Sequence, residues 1–229
     1  MDFDNKIKNI EFHALISIGD ACRTRYQLDS LMLSRFPDYK TSSYCFDYLM
    51  MGGLPGVINL LQRDFLMTED DICIFDNGGK FAAQDKNSGM VFLHDFGASH
   101  WWDSYDHCEA AIRSTMHSTL DKYQYLGSKT KALLMQDSTF GLVYYGSAKK
   151  NDFERLKEVV EANYSKNFYL IHVTEAGTQN LQNYDDLVLS VTVNDSNSPK
   201  IGTPREWEGW DESWQKAFLK FVINPTRIS

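Results

Sequence analysis

Short apolar runs alternate with segments of helical spacing along most of the chain, and this alternation constrains the fold more than any single motif. Residues 12–18 are apolar at both odd and even positions, as in a strand covered on both faces, so they read as a central strand. From Ala21 to Leu33 the spacing changes. Leu28, Leu31 and Met32 fall on one face of a helix that stops before Pro37. Residues 131–135, 142–145, 168–173 and 187–193 read as further strands. A helix opening near Asn151 or Asp152 turns Phe153, Leu156 and Val160 inward, and a last helix opened by Asp211 carries Trp214, Phe218 and Phe221. Strands alternating with helices predict an α/β fold, with a layered, mostly parallel sheet and flanking helices.

The middle of the chain adds a β-hairpin excursion. Residues 43–49 (SYCFDYL) form a short strand or an extended loop. Gly52, Gly53 and Pro55 then mark a turn, with Pro55 suited to the first position of a helix whose stripe is Val57, Ile58, Leu61 and Phe65. Strands at 71–75 and 80–83 are joined through Asn77, Gly78 and Gly79, a strong hairpin signal. A strand at 89–93 ends in His94 and Asp95. The loop GASHWWDSYDH leads into a helix over residues 104–123 with Asp103 as its N-cap. No repeat, low-complexity tract or linker divides the chain, so residues 1–229 are expected to form a single catalytic-type domain.

A net charge of −8 disfavours broad contact with nucleic acid or anionic lipid, since both need a basic face. The N-terminus has no basic segment followed by an apolar core, and no apolar run approaches the ~20 residues of a membrane helix. The expectation is a cytoplasmic protein with a small-molecule, glycan or peptide substrate. Its four cysteines, Cys22, Cys45, Cys73 and Cys108, form no CxxC pair, which leaves neither a zinc ribbon nor a redox dithiol in view, and no cofactor is expected. Cys45, Cys73 and Cys108 are assigned to packing.

Cys22 lies where the first strand gives way to the first helix, in FHALISIGDACRTRYQL. In an open α/β sheet that junction is the usual place for chemistry, because several loops converge there. A helix N-terminus also presents unpaired N–H groups and a partial positive charge, which lower a thiol's pKa and can hold an oxyanion. Against this, an unpaired cysteine is most often a small buried hydrophobe. The second half of the constellation is MVFLHDF. If that strand lies parallel to the first and near it, His94 reaches the same sheet edge as Cys22 and can take its proton. Asp95 points to the opposite face if the strand continues, and Asp47, in CFDYL, comes from another loop. Either carboxylate is a candidate to orient the imidazole.

SIGDACRTRYQL, then CFDYL followed by a helix and RDF, then FLHDF, together resemble an uncharacterised bacterial family described as papain-like cysteine peptidases. The resemblance covers roughly the first hundred residues and rests on Ser17, Gly19, Cys22, Gln27, Leu28, Phe46, Asp47, His94, Asp95 and Phe96. Cys45 and Tyr48 stand where the family has proline and tryptophan. The resemblance implies Cys22 as nucleophile, His94 as general base and Asp47 or Asp95 as orienting group. It also makes a papain-like α+β fold the alternative architecture. A strand leading directly into a nucleophile helix is closer to the sheets of G-D-S-type serine esterases and of capsule-polysaccharide acetyltransferases. The expected chemistry is therefore acyl transfer through a thioester, as a hydrolase (peptidase or esterase). The alternatives are an acyltransferase or a non-catalytic binding domain acting in polysaccharide modification.

Asp20, Arg23 and Gln27 around the nucleophile are candidate substrate contacts, with Asp20 also a candidate N-cap. Arg23 and Arg25 could receive a phosphate or carboxylate of an acyl donor, or could be solvated helix residues. The loop of residues 94–108 is dense in potential ligands, but its histidine spacings fit no common short zinc pattern, so no metal is expected. His100, Trp101 and Trp102 either line a substrate pocket or cover the core. His13, His117 and His172 read as structural.

Overall fold

The computed structural model describes residues 10–19, 22–47, 49–50, 52–97, 101–178 and 188–225. It is a mixed α/β protein with five α-helices among the described residues. Strands β1 (Glu11–Phe12) and β2 (Ala14–Ser17) precede helix α1 (Cys22–Arg35). Next come β3 (Leu49–Met50), α2 (Gly53–Gln62), β4 (Ile72–Asp76), β5 (Phe81–Asp85) and β6 (Val91–Phe92). Helix α3 (Tyr105–Leu134), β7 (Phe140–Tyr145), α4 (Lys150–Asn163), β8 (Phe168–Glu175), β9 (Val188–Val193), α5 (Asp211–Phe218) and β10 (Val222–Ile223) complete the order.

One sheet is fully parallel, in the order β2-β7-β8-β9, with Ser17 opposite Val143, Tyr145 opposite Val173 and Glu175 opposite Val193. Its strands alternate between two cores, as a period of two requires when both faces are covered. Ile16, Phe140, Leu142, Phe168 and Leu170 enter the larger core, which also holds Phe46, Leu61, Phe92 and Leu126. Leu15, Val143, Ile171 and Val173 enter the other, with Leu28 and Leu31 of α1 and Trp214 and Phe218 of α5. The run at residues 12–18 is therefore two short strands, and β2 is an edge strand of this sheet. The expectation of a central strand is corrected, because helices cover both of its faces and so its composition is that of an interior strand. Phe12 belongs to β1, which pairs in parallel with β10.

The hairpin excursion is larger than expected. The β4–β5 hairpin forms as predicted, and β6 and β3 extend it to a four-stranded antiparallel sheet in the order β3-β6-β5-β4. Helix α3 also exceeds its expected length and takes in residues 131–135, read from sequence as a strand, up to Leu134. Gly127 suggested a break there. Instead it is a point of close approach, since a Cβ at Gly127 would lie 2.6 Å from the Cβ of Phe65. Leu126, Thr130, Leu133 and Leu134 continue the buried stripe through it. The cap is Ser104 rather than Asp103, its side chain accepting the His107 N–H. Pro55 is the third residue of α2, not the first, and Phe65 lies beyond the helix in a left-handed turn with φ 61°. No helix among the described residues is long and apolar enough to cross a membrane.

Candidate active site

Cys22 is the first residue of α1, five residues beyond Ser17, where β2 ends. Gly19 has no room for a side chain: a Cβ there would collide with the Thr24 side chain. His94 comes from the other sheet, on the bend that follows β6. The sequence expectation placed its strand parallel to the first. β6 is instead antiparallel to β3 and β5, and the bend after it carries His94 across to the carboxyl edge of the parallel sheet. There Cys22 Sγ lies 3.4 Å from His94 Nε2, hydrogen-bonding distance for a thiol and a ring nitrogen.

Burial pushes the Cys22 thiol above its ordinary pKa. Its own backbone N–H pulls it back, and the nearby Asp47 charge adds to the rise. The helix start therefore does not by itself bring this thiol below its ordinary value, because burial raises it more than the N–H lowers it.

The two candidate carboxylates are held away from the imidazole. Asp47 is fully buried; its Oδ2 accepts the Tyr44 N–H at 2.6 Å and pairs with Arg25 Nη1 at 3.1 Å, and its Oδ1 has no hydrogen-bond partner. Burial pushes its carboxyl up to about 7, against the pull of Arg25 and the Tyr44 N–H. Arg25 is held further by Asp29, at 2.7 Å, and by the Ser42 carbonyl, at 2.8 Å. Asp95 accepts from Lys122 Nζ at 2.5 Å and from the Tyr123 hydroxyl at 2.8 Å. Neither carboxylate hydrogen-bonds the His94 ring. The polypeptide after Asp95 turns through two positive-φ residues, Phe96 at 55° and Gly97 at 74°. Phe96 is an uncommon side chain for that region, and it is fixed by edge-to-face packing on Phe92 at 5.2 Å.

Cys22 and His94 open onto a cleft of about 1170 Å³, lined also by Arg23, Tyr26, Leu33, Met50, Lys122, Tyr145 and Trp207. Arg23 is not a solvated helix residue. Its guanidinium donates to the Trp207 carbonyl at 2.9 Å, the Glu206 carbonyl at 3.2 Å and the Tyr145 hydroxyl at 3.1 Å. Gln27, one turn on, donates to the Glu208 carbonyl at 2.5 Å and to Asp211 at 2.8 Å. Arg23 and Gln27 thereby hold three successive carbonyls and fix the 3-10 turn Glu206–Glu208 beside the thiol. Gln27 is buried behind that turn and does not line the cleft.

Trp101 and Trp102 do not line it either. Trp101 packs on Phe75, ring centroids 6.0 Å apart, with Ala82, Val91 and Leu93. Trp102 exchanges both backbone hydrogen bonds with Phe81 and packs on the larger core. Both cover the antiparallel sheet, which resolves the alternatives for this pair in favour of packing. Asp20 and His100 lie outside the described residues. Trp207, Tyr26 and Tyr145 are the aromatic residues at the thiol, and the sequence reading passed over them. An available signal was the polar, aromatic segment REWEGW, where Trp207 stays half exposed.

His172 is structural, as expected: it is buried, its Nε2 lies 2.8 Å from the Gly146 carbonyl, and burial lowers its pKa. Cys45 and Cys108 are buried and unpaired, Cys73 partly so. Among the described residues no group of three His, Cys, Asp or Glu side chains could hold a metal ion. No protein-family model, curated protein or solved structure matches the chain.

Proposed function

We propose that the protein is a cysteine-nucleophile acyl-transfer enzyme, a hydrolase of the esterase or peptidase kind, that works through a thioester on Cys22. One observation carries the reading: a thiol and an imidazole 72 residues apart, delivered by different sheets, meet at 3.4 Å on the wall of a large cleft. A purely structural cysteine needs neither the histidine nor the cleft. In this scheme His94 acts as general base, taking the thiol proton as the attack begins.

With the ring proton on Nδ1, Nε2 takes the proton of Cys22 as Sγ bonds to the acyl carbon. The oxyanion would face the unpaired N–H groups of the first turn of α1. Collapse expels the alcohol or amine, which receives its proton from His94 Nε2. Water then adds to the thioester, gives a proton back through His94, and releases the acid and the free thiol. The scaffold for this chemistry is the parallel sheet with α1 at its carboxyl edge, closer to layered esterases than to the papain-like arrangement. Asp47 and Asp95 stand outside the reacting pair in this scheme, each bracing a cation of the cleft lining, Arg25 and Lys122. An accessory binding domain that grips a saccharide through Trp101 and Trp102 loses its support, because both rings pack on the sheet.

The test is intact-mass analysis after incubation with 4-nitrophenyl butanoate and rapid acid quench. The wild type is expected to carry one butanoyl group on Cys22 and to turn over. Cys22→Ala is expected to do neither. Full turnover by Cys22→Ala would sink the mechanism.

A further inference from the structure

The cleft beside the thiol has a chemical character of its own. One face of α1 runs along it, with Cys22, Tyr26 and Leu33 at helical spacing and with Asp29, paired to Arg25, and Ser30 between the last two. Eleven residues of helix separate the thiol from Leu33, a distance of roughly 16 Å along the helix axis. Trp207 also lines the cleft and meets Tyr26 edge-on at a ring-centroid distance of 5.5 Å, and Met50 adds a flexible apolar side chain from β3. Leu33 is 45% exposed and Trp207 48%. These are large apolar groups facing water in the groove that ends at the thiol. At about 1170 Å³ the cleft exceeds the roughly 300–1,000 Å³ usual for a small-molecule site.

The charged groups of the same lining are already neutralised. Arg25 is paired with Asp47 and Asp29, and Lys122 with Asp95. Arg23 lies 3.6 Å from Asp195, and its donors are taken by two carbonyls and a tyrosine. A phosphate or carboxylate entering the cleft would have to break one of these arrangements to gain a cation. An uncharged, flexible, apolar chain would break none.

The geometry points to a medium-chain aliphatic acyl group as the occupant, its carbonyl at Cys22 and its tail running along α1 between Trp207 and Leu33. The carbonyl placement rests on the acyl-transfer reading. The apolar groove does not, so binding and turnover are tested apart.

Binding is measured by calorimetry on Cys22→Ala with two neutral, unreactive probes, butanamide and octanamide. A methylene buried on one side only contributes about a twofold gain, so octanamide is expected to bind about 16-fold more tightly. Leu33→Asp, at an exposed position that leaves the fold intact, is expected to bring that ratio close to one. Turnover is measured on the wild type with 4-nitrophenyl butanoate and octanoate, where kcat/KM is expected to rise in the same proportion. Tight octanamide binding without turnover of any ester supports the acyl groove and removes the acyl-transfer reading. Turnover with equal binding of both amides overturns the groove and leaves that reading standing. Binding of coenzyme A in preference to octanamide would also overturn it, and would assign the cleft to a charged donor.

Discussion

Asp47 and Asp95 make an instructive pair. Each follows or adjoins an aromatic segment that reaches the same cleft, and each braces a cation in its lining. Their settings differ in water. Asp47 is completely buried and Arg25 nearly so, with side-chain exposures of 0% and 6%. Asp95 is largely buried, but its partner Lys122 keeps 45% of its side chain in solvent. The difference shows how two carboxylates that look interchangeable in sequence come to do different work: a lysine head in water can leave its partner cheaply, whereas a guanidinium sealed against a buried carboxylate cannot.

The largest expected effect separates both carboxylates from the Cys22–His94 pair. His94→Ala should lower kcat/KM for a 4-nitrophenyl ester by ~10²–10⁴-fold, as expected for loss of a general base. Asp47→Asn and Asp95→Asn should each stay within about tenfold of the wild type, because neither side chain touches the ring and a one-unit thiol shift is worth a factor of ten. A loss as deep as that of His94→Ala in either variant would make that carboxylate part of the reacting unit. The comparison would then collapse.

Next in size is the effect on folding. Arg25→Ala removes the cation from a buried carboxyl that already lies at about 7, so Asp47 takes up a proton and loses its partner, and the protein should be destabilised by ~1–3 kcal/mol in urea unfolding. Lys122→Ala removes a half-exposed partner and should cost about 1 kcal/mol or less, since Tyr123 still donates to Asp95. Equal losses would mean that burial does not distinguish the two pairs.

Much of this arrangement was legible in the residues, for reasons that differ from place to place. The start of α1 could be read because Gly19 and the change from strand to helix period fall within a few positions. The β4–β5 turn could be read because Asn77-Gly78-Gly79 has few other uses. Information about partners was missing elsewhere. Gly127 breaks a helix in the abstract, and only the Phe65 side chain packed on it explains why α3 runs on. An apolar strand such as β2 has the same composition at an edge covered by helices as in the middle of a sheet. The meeting of Cys22 and His94 could be anticipated from their positions at element ends, yet the route was wrong, since β6 joins an antiparallel sheet. Trp207 lies 185 residues from Cys22, and it reaches the cleft through Arg23 and Gln27, a long-range hydrogen-bonding arrangement with no local signature.

Acidity sharpens the comparison further. The Asp47 carboxyl has a native pKa of about 7 and an unfolded value of about 3.9. Between those values the native state keeps a proton that the unfolded chain has released, so this residue's contribution to stability falls as pH rises. It is wholly present below about pH 4 and gone above about pH 7. Urea unfolding at intervals from about pH 4 to about pH 8 should show the wild type losing stability relative to Asp47→Asn across that window and levelling off above it. Parallel pH profiles for the two proteins would mean that Arg25 keeps Asp47 ionised throughout.

The smallest effect is on the nucleophile itself. Burial raises the Cys22 thiol, its own N–H lowers it, and the charge on Asp47 raises it again. The rate of iodoacetamide alkylation at Cys22, read by peptide mass spectrometry, should therefore titrate with a midpoint above the ordinary thiol value of about 8.5. Asp47→Asn removes one of the two raising causes and should move the midpoint down, while Asp95→Asn, its charge already bound by Lys122 and Tyr123, should leave it in place. A midpoint well below 8.5 in the wild type, rising in His94→Ala, would show instead a preformed thiolate–imidazolium pair.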